Sequence, residues 1–126
     1  MCNVEAKTLV LVGPTQFNLL TGSIPEFKAL LGGLREIELS QNLLTGTIPL
    51  SLTRLTELQR LYLANNRLSG QIPEEFANEF SYISEIHLHG NRLTGTLPST
   101  LSILPQLRIL LIDGTWTVIF ADSDEF

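Results

Sequence analysis

The only two histidines of the chain lie two residues apart, in the stretch Glu85-Ile86-His87-Leu88-His89. Polar and apolar residues alternate here, so a β-strand would project both imidazoles and the Glu85 carboxylate from one face. Imidazole and carboxylate groups bind metal ions and transfer protons near neutral pH. Together with Asp113, they are the residues of this sequence whose types and spacing could perform chemistry.

A metal site here would need a third ligand at fixed spacing and second-shell groups that orient the imidazoles. The sequence supplies neither, so no metal and no cofactor are predicted. Histidine titrates near pH 6.5 when unperturbed, and the patch is instead expected to change charge between about pH 5 and 8.

Motifs for catalysis are missing from the sequence. Gly13-Pro14 is followed by neither the glycines nor the Lys-Ser/Thr of a phosphate-binding loop, and no G-x-S-x-G nucleophile elbow occurs. Cys2 is far in sequence from either histidine. The sequence therefore predicts a protein that is not an enzyme.

The composition limits the classes of protein to which this chain can belong. The 126 residues, 44% hydrophobic and 17% charged with a net charge of −5, fit a single folded domain over 1–126 and argue against nucleic acid as a partner. No run of about 18 apolar residues predicts a membrane segment. One cysteine allows no disulfide pair, the N-terminus makes a poor signal peptide, and no Asn-x-Ser/Thr sequon occurs, which leaves the compartment open.

A repeat must position the candidate residues. The pattern Asn-x-Leu-(Thr/Ser)-Gly-x-(Ile/Leu)-Pro begins at Asn18, Asn42, Asn66 and Asn91, in steps of 24, 24 and 25 residues. An apolar run spaced x-Leu-x-Leu-x precedes the later copies, and its period of two predicts a short half-buried strand. Such a period predicts an α/β solenoid of four to five leucine-rich repeats whose short strands form one parallel β-sheet.

The rest of each repeat predicts its own local structure. Leucines at i, i+3 after each proline favour short helical or 3₁₀ turns on the convex face, and the extra residue between Pro73 and Ile83 is expected to lengthen one of them. Each motif glycine is expected to adopt a backbone angle that other residues resist. The four asparagines are expected to form a buried structural ladder that satisfies turn backbone groups.

Parallel strands in register place equivalent outward residues side by side. The predicted columns are Glu36–Arg60–Glu85, Glu38–Tyr62–His87 and Ser40–Ala64–His89–Asp113. From them we predict a partner-binding face made of Glu36, Glu38, Arg60, Tyr62, Glu85, His87, His89 and Asp113. The alternative is an ordinary exposed sheet face, whose surface ion pairs contribute only about 0–1 kcal/mol each.

Residues 16–112 resemble the plant-type leucine-rich repeat, LxxLxxLxLxxNxLTGxIPxxLxxL, of receptor-like kinase ectodomains, receptor-like proteins and polygalacturonase-inhibiting proteins. The resemblance implies a right-handed coil with the parallel β-sheet on its concave face and an extra short strand around each Leu-Thr-Gly stretch. It also implies recognition of a protein or peptide, usually outside the cell or at its surface. A scaffold segment without a ligand, or a binder resembling glycan-hydrolase inhibitors, are the alternatives.

The two ends depart from the repeat. The first strand is expected at 10–15, where Gly13-Pro14 replaces leucine, so 1–15 reads as an irregular first coil. The tail 113–126 reads either as a hairpin that turns at Asp113-Gly114 and covers the last coil with Trp116, Val118 and Phe120, or as a loose truncated repeat. Ends without the usual caps also suggest end-to-end self-association.

Overall fold

The computed structural model describes residues 8–10, 19–27, 33–112 and 117–119, with backbone alone at 8–10 and 117–119. Ten short strands lie in these residues: β1 Thr8–Val10, β2 Thr21–Ser23, β3 Glu36–Glu38, β4 Leu43–Thr45, β5 Arg60–Tyr62, β6 Ser69–Gly70, β7 Glu85–His87, β8 Arg92–Leu93, β9 Ile109–Leu111 and β10 Thr117–Ile119.

The main sheet has six strands in the order β1-β3-β5-β7-β9-β10. The first five are parallel, as the repeat predicts, and β10 pairs antiparallel with β9. The central residues Ile37, Leu61 and Ile86 are fully buried, whereas the residues on either side of each are half-buried. One face of the sheet therefore packs on the core and the other looks outward.

Within the described residues, short helical turns form the opposite side of three coils. Two of them are 3₁₀ helices, Leu50–Arg54 and Ser99–Ile103, and the third is an α-helix, Phe76–Glu79. The α-helix lies in the repeat where Ile83 follows Pro73 by ten residues, whereas Leu58 follows Pro49 by nine. The extra residue thus converts a 3₁₀ turn into an α turn that buries Phe76 and Phe80, a change of helix type where lengthening was predicted.

Two smaller sheets flank the main sheet. Strand β2 pairs in parallel with β4, and β6 pairs in parallel with β8. An isolated bridge between Thr47 and Ser69 links the two pairs. These strands confirm the additional strand that the plant-type repeat implies. The glycine in each of these segments has a positive φ, between 81° and 86°.

The position predicted for the first strand was wrong. Strand β1 begins at Thr8 and pairs Leu9 with Ile37, a separation of 28 residues where the later repeats have 24 or 25. The described strand, Thr8–Val10, therefore lies mostly before the predicted position. Proline has no N–H to give to a ladder, and glycine has no side chain to pack, so the preceding Thr-Leu-Val is the better strand.

The C-terminal segment forms the predicted hairpin, but not with the predicted two-residue turn. A turn of Asp113-Gly114 alone would pair Leu111 with Trp116, whereas the observed partner of Leu111 is Thr117. The intervening residues 113–116 and the side chains of Trp116, Val118 and Phe120 lie outside the described structure. None of the described helices is both long and apolar enough to cross a membrane.

Candidate partner-binding face

Seven predicted residues gather on the outward side of the main sheet. Strand pairing sets Glu36 beside Arg60 and Arg60 beside Glu85, and sets Glu38 beside Tyr62 and Tyr62 beside His87. We call this surface the sheet face, made of Glu36, Glu38, Arg60, Tyr62, Glu85, His87, His89, Ile109 and Leu111. All of these residues are half-buried. The strand register thus confirms the first two predicted columns.

The third column is only partly outward. Ser40 and His89 are half-buried, but Ala64 between them is buried with 4% exposure. Its small side chain joins the core where the chain leaves the strand. Asp113, the last residue predicted for this column, lies outside the described residues.

An ion pair fixes one corner of the sheet face. The Arg60 Nε donates a hydrogen bond to the Glu36 carboxylate at 2.5 Å. That bond and the charge of Glu36 raise the pKa of Arg60 above its ordinary value. Arg60 remains 43% exposed, so its remaining N–H groups can reach a ligand while the pair holds its position.

Tyr62 links the two columns diagonally. Its hydroxyl donates to the Glu85 carboxylate at 2.8 Å, and its ring meets the His87 ring edge-on with centroids 4.7 Å apart. Burial, followed by the hydrogen bond to Glu85, raises the pKa of Tyr62 to about 12. The phenol therefore stays protonated and keeps donating over the whole physiological pH range.

His87 is the most constrained imidazole of the face. Its Nε2 lies 3.5 Å from the Glu85 carboxylate but makes no hydrogen bond, and its ring centroid is 6.1 Å from that of His89. Burial lowers the pKa of His87, and the proximity of His89 adds to this, although Glu85 and Glu38 oppose it. The desolvation of the charged form outweighs the two carboxylates.

This direction predicts an acid-sensitive contribution to stability. Because the folded pKa lies below the unfolded value of about 6.5, the unfolded chain takes up the proton first. The stabilisation is present above that pH and is lost as the pH falls towards the folded pKa. Urea unfolding at pH 7 and pH 5 should show a smaller loss of unfolding free energy in His87→Gln than in the wild type. Equal losses would remove His87 as the cause.

Two residues of the face were not among those predicted. The pairing of Glu85 with Ile109 and of His87 with Leu111 continues both columns onto β9 with aliphatic side chains. The face therefore changes from charged to apolar along the sheet. The alternation of the last repeat predicts that both side chains point outward, but only charged, tyrosine and histidine side chains were predicted to bind a partner.

The candidate metal ligands do not converge. Within the described residues, no group of three or more His, Cys, Asp or Glu side chains is placed to hold a metal ion. Glu85 and His87 instead share their interactions with Tyr62. The arrangement of the sheet face is one of hydrogen-bonding and aromatic groups held in fixed positions.

Asparagines lie behind the sheet face, where each strand turns away. Asn66 Nδ2 donates to the carbonyls of Leu39, Leu63 and Ala64, and its Oδ1 accepts from the Leu44 N–H. Asn42 and Asn91 make equivalent bonds. These asparagines join each repeat to the one before it. Asn18 lies outside the described residues.

The parallel coil and its asparagine turns define a leucine-rich repeat protein, and the comparison with known families agrees. The profile of the Leucine Rich Repeat family matches 33–55, 57–78 and 82–104, more than half of the chain. The chain therefore belongs to this family. Among curated proteins, none matches the sequence significantly.

Solved structures give similar folds. The ectodomain of the Arabidopsis receptor kinase HAESA, bound to an extended IDA peptide hormone, is 41% identical with a TM-score of 0.68, covering 72% of this chain and 15% of HAESA. PEPR1, solved in complex with AtPEP1, is 31% identical to this chain with a TM-score of 0.75. The match covers 84% of this chain and 14% of PEPR1. A plant ice-binding protein is 37% identical with a TM-score of 0.65, and the match covers 75% of this chain and 29% of that protein. The chain thus spans a small part of each.

Proposed function

We propose that this protein is a recognition module that binds a protein or peptide on the sheet face. The observation that carries the proposal is the network in which Tyr62 bonds to Glu85 and stacks edge-on with His87, beside the Arg60–Glu36 pair. Half-buried side chains held by one another lose little conformational entropy when a ligand arrives. Tyrosine and arginine are also the residue types enriched at protein interfaces.

The chemistry of the face suggests how a ligand lies on it. Charged groups occupy the columns from β3 to β7, and Ile109 and Leu111 follow on β9. Glu36, Glu38 and Glu85 outnumber the single Arg60, so the charged part is acidic at neutral pH. A ligand that crosses the strands with a basic group at one end and an apolar group at the other would match both parts.

The similar structures support a ligand of this kind without naming it. HAESA and PEPR1 are solved in complexes named for IDA and AtPEP1, and IDA is a peptide hormone. A plant ice-binding protein has a comparable fold, so the fold alone does not select the ligand. The proposed binding therefore depends on the residues of the sheet face and not on the fold.

We also propose that the module acts by binding and not by catalysis. In the described residues, the hydrogen bonds of the sheet face join Arg60 to Glu36 and Tyr62 to Glu85, and neither pair is a nucleophile with its general base. A scaffold segment without a ligand is the alternative, and it predicts that the sheet face can be altered without consequence.

The experiment uses a matched pair of variants. A peptide library with basic and apolar positions is panned against the whole chain, and the affinity of selected peptides is measured by calorimetry. The double change Arg60→Ala/Tyr62→Ala should weaken binding about 30-fold or more, since interface hot spots contribute about 2 kcal/mol or more. The control Arg54→Ala/Tyr82→Ala removes the same residue types from exposed positions off the sheet face.

The two doubles separate recognition from general damage. Binding lost in the sheet-face double and kept in the control, with equal thermal melts, supports the proposal. Binding that survives in both, or a library that yields no peptide, would favour the scaffold alternative.

A further inference from the structure

A second surface lies away from the sheet face, at the open edge of β8. A groove of about 500 Å³ is lined by Ile72, Leu93, Leu97 and Ile112, with polar atoms at its rim. We call it the β8 groove. Leu93, Leu97 and Ile112 are each half-buried against the core.

The same positions are closed one repeat earlier. Leu68, Ile72 and Leu88 are the equivalents of Leu93, Leu97 and Ile112, and the most exposed of them shows only 7% of its surface. The following repeat lies beside them, and its Leu93 and Leu97 pack against the same core. The β8 groove is therefore the place where one more aliphatic side chain would fit the established packing.

The backbone of β8 offers matching hydrogen-bond acceptors. At the two junctions before it, alternate N–H groups donate to the preceding strand: Arg67 to Leu44 and Ser69 to Gly46, then Arg92 to Leu68 and Thr94 to Gly70, all at 2.7–2.8 Å. Continuing the pattern makes the carbonyls of Leu93 and Gly95 the next acceptors. No N–H of the described residues donates to either of them.

The strand order of the two sheets limits the size of a segment that can bind in the β8 groove. On the main sheet, the place beyond β9 is filled by β10, whereas among the described residues β8 is the last strand of its two-stranded sheet. A whole additional coil, such as the first repeat of a second copy, would need both places. A single extended strand needs only the place beside β8.

We propose that the β8 groove binds one extended peptide segment that adds a parallel strand to β8. The segment would donate backbone N–H groups from alternate residues to the carbonyls of Leu93 and Gly95, and place a Leu or Ile side chain from the residue between them into the groove. Addition of a strand to an exposed edge takes its affinity from the main chain and its specificity from such a pocket. This site is separate from the sheet face and does not depend on the function proposed there.

The test uses a peptide that copies the chain's own solution to this packing. The probe is a synthetic peptide with the sequence of residues 91–98, Asn-Arg-Leu-Thr-Gly-Thr-Leu-Pro, which covers the equivalent site one repeat earlier. It is titrated into the isotopically labelled whole chain and followed by amide NMR shifts. Shifts centred on Leu93, Gly95, Leu97 and Ile112 are expected.

Two altered peptides test the two parts of the proposal. Methylation of the backbone nitrogens at the Arg92 and Thr94 positions removes both donors, and Leu93→Asp in the peptide removes the apolar anchor. Each change should weaken binding at least about tenfold. Because these changes are in the peptide, they cannot unfold the protein. Equal binding of the methylated peptide would overturn the added-strand geometry.

Protein variants locate the site. Leu97→Ser should weaken binding, whereas Arg60→Ala/Tyr62→Ala should leave it unchanged, so failure here is distinguishable from failure of the sheet-face proposal. The inference is overturned if shifts cluster on the sheet face or do not occur. It is equally overturned if the free chain sediments as a dimer through this edge, or if nuclear Overhauser contacts show residues 113–116 or 120–126 of the same chain in the groove.

Discussion

Asn66→Ala is expected to lower the free energy of unfolding by about 1–3 kcal/mol, because a buried polar group left without a partner costs about that much. The Asn66 side chain lies in the interior, with 7% exposure, and serves four backbone groups. Alanine would leave the Leu44 N–H without its acceptor, whereas the Leu39 carbonyl would keep the amide of Asn42 as a donor. Leu44 is itself buried, so water cannot easily replace the amide.

The loss is measured by urea unfolding, with attention to the slope as well as the midpoint. Because Asn66 bonds to the preceding repeat, its removal weakens the junction between repeats, and a lower slope would show that the coil no longer unfolds as one unit. Asn78→Ala is the matched control, since Asn78 is exposed on the helix Phe76–Glu79. A midpoint unchanged in Asn66→Ala would contradict a structural role for the asparagines.

Gly90→Ala is the second change with a large expected effect, a loss of about 3 kcal/mol. Gly90 has φ +72°, where a side chain costs about 1–2 kcal/mol. A Cβ at this position would also collide with the Asn65 side-chain oxygen and approach the Asn65 Cα to 3.0 Å. Crowding of this kind adds about 1–3 kcal/mol.

The collision can be separated from the backbone cost. Gln41 and Asn65, the equivalents of Gly90 in earlier repeats, have φ of 59° and 56°, so the conformation alone is tolerated with a side chain. Asn65→Gly should therefore restore much of the stability lost in Gly90→Ala. Gly33→Ala is the control, because a Cβ there meets nothing within 4 Å. Thermal melts of the wild type, Gly90→Ala, the double variant Gly90→Ala/Asn65→Gly and Gly33→Ala test this. A double variant no more stable than Gly90→Ala would exclude Asn65 as the cause.

The two changes show where reading the sequence was sufficient and where it was not. The spacing of Asn66 within its repeat predicted a buried amide that satisfies turn backbone, since a side chain repeated at every turn of a coil serves the coil. The positive φ of Gly90 carried no such signal, because Gln41 and Asn65 stand at the same place. Only the approach of the neighbouring repeat makes glycine necessary there.

The candidate site divides in the same way. The 24- and 25-residue steps placed Arg60 between Glu36 and Glu85, and Tyr62 between Glu38 and His87. They did not predict that Tyr62 would bond to Glu85 across the columns, or that burial would lower the pKa of His87 against two carboxylates. Those outcomes depend on side-chain rotamers and on how much water reaches each group.

The sequence by itself therefore determined the coil, its strand register from Ile37 to Leu110 and the outward residues. Each repeat packs mainly against its neighbours, so a local pattern repeated along the chain specifies the whole. The tertiary structure decided the ends and the contacts: the early β1, the return of β10, the open edge of β8 and the network around Tyr62. At β1 and β10 the regular spacing of the repeats breaks off, and on the sheet face the partners come from strands about 24 residues apart. Distance and burial in the folded molecule, and not spacing along the chain, therefore select among the possible pairings.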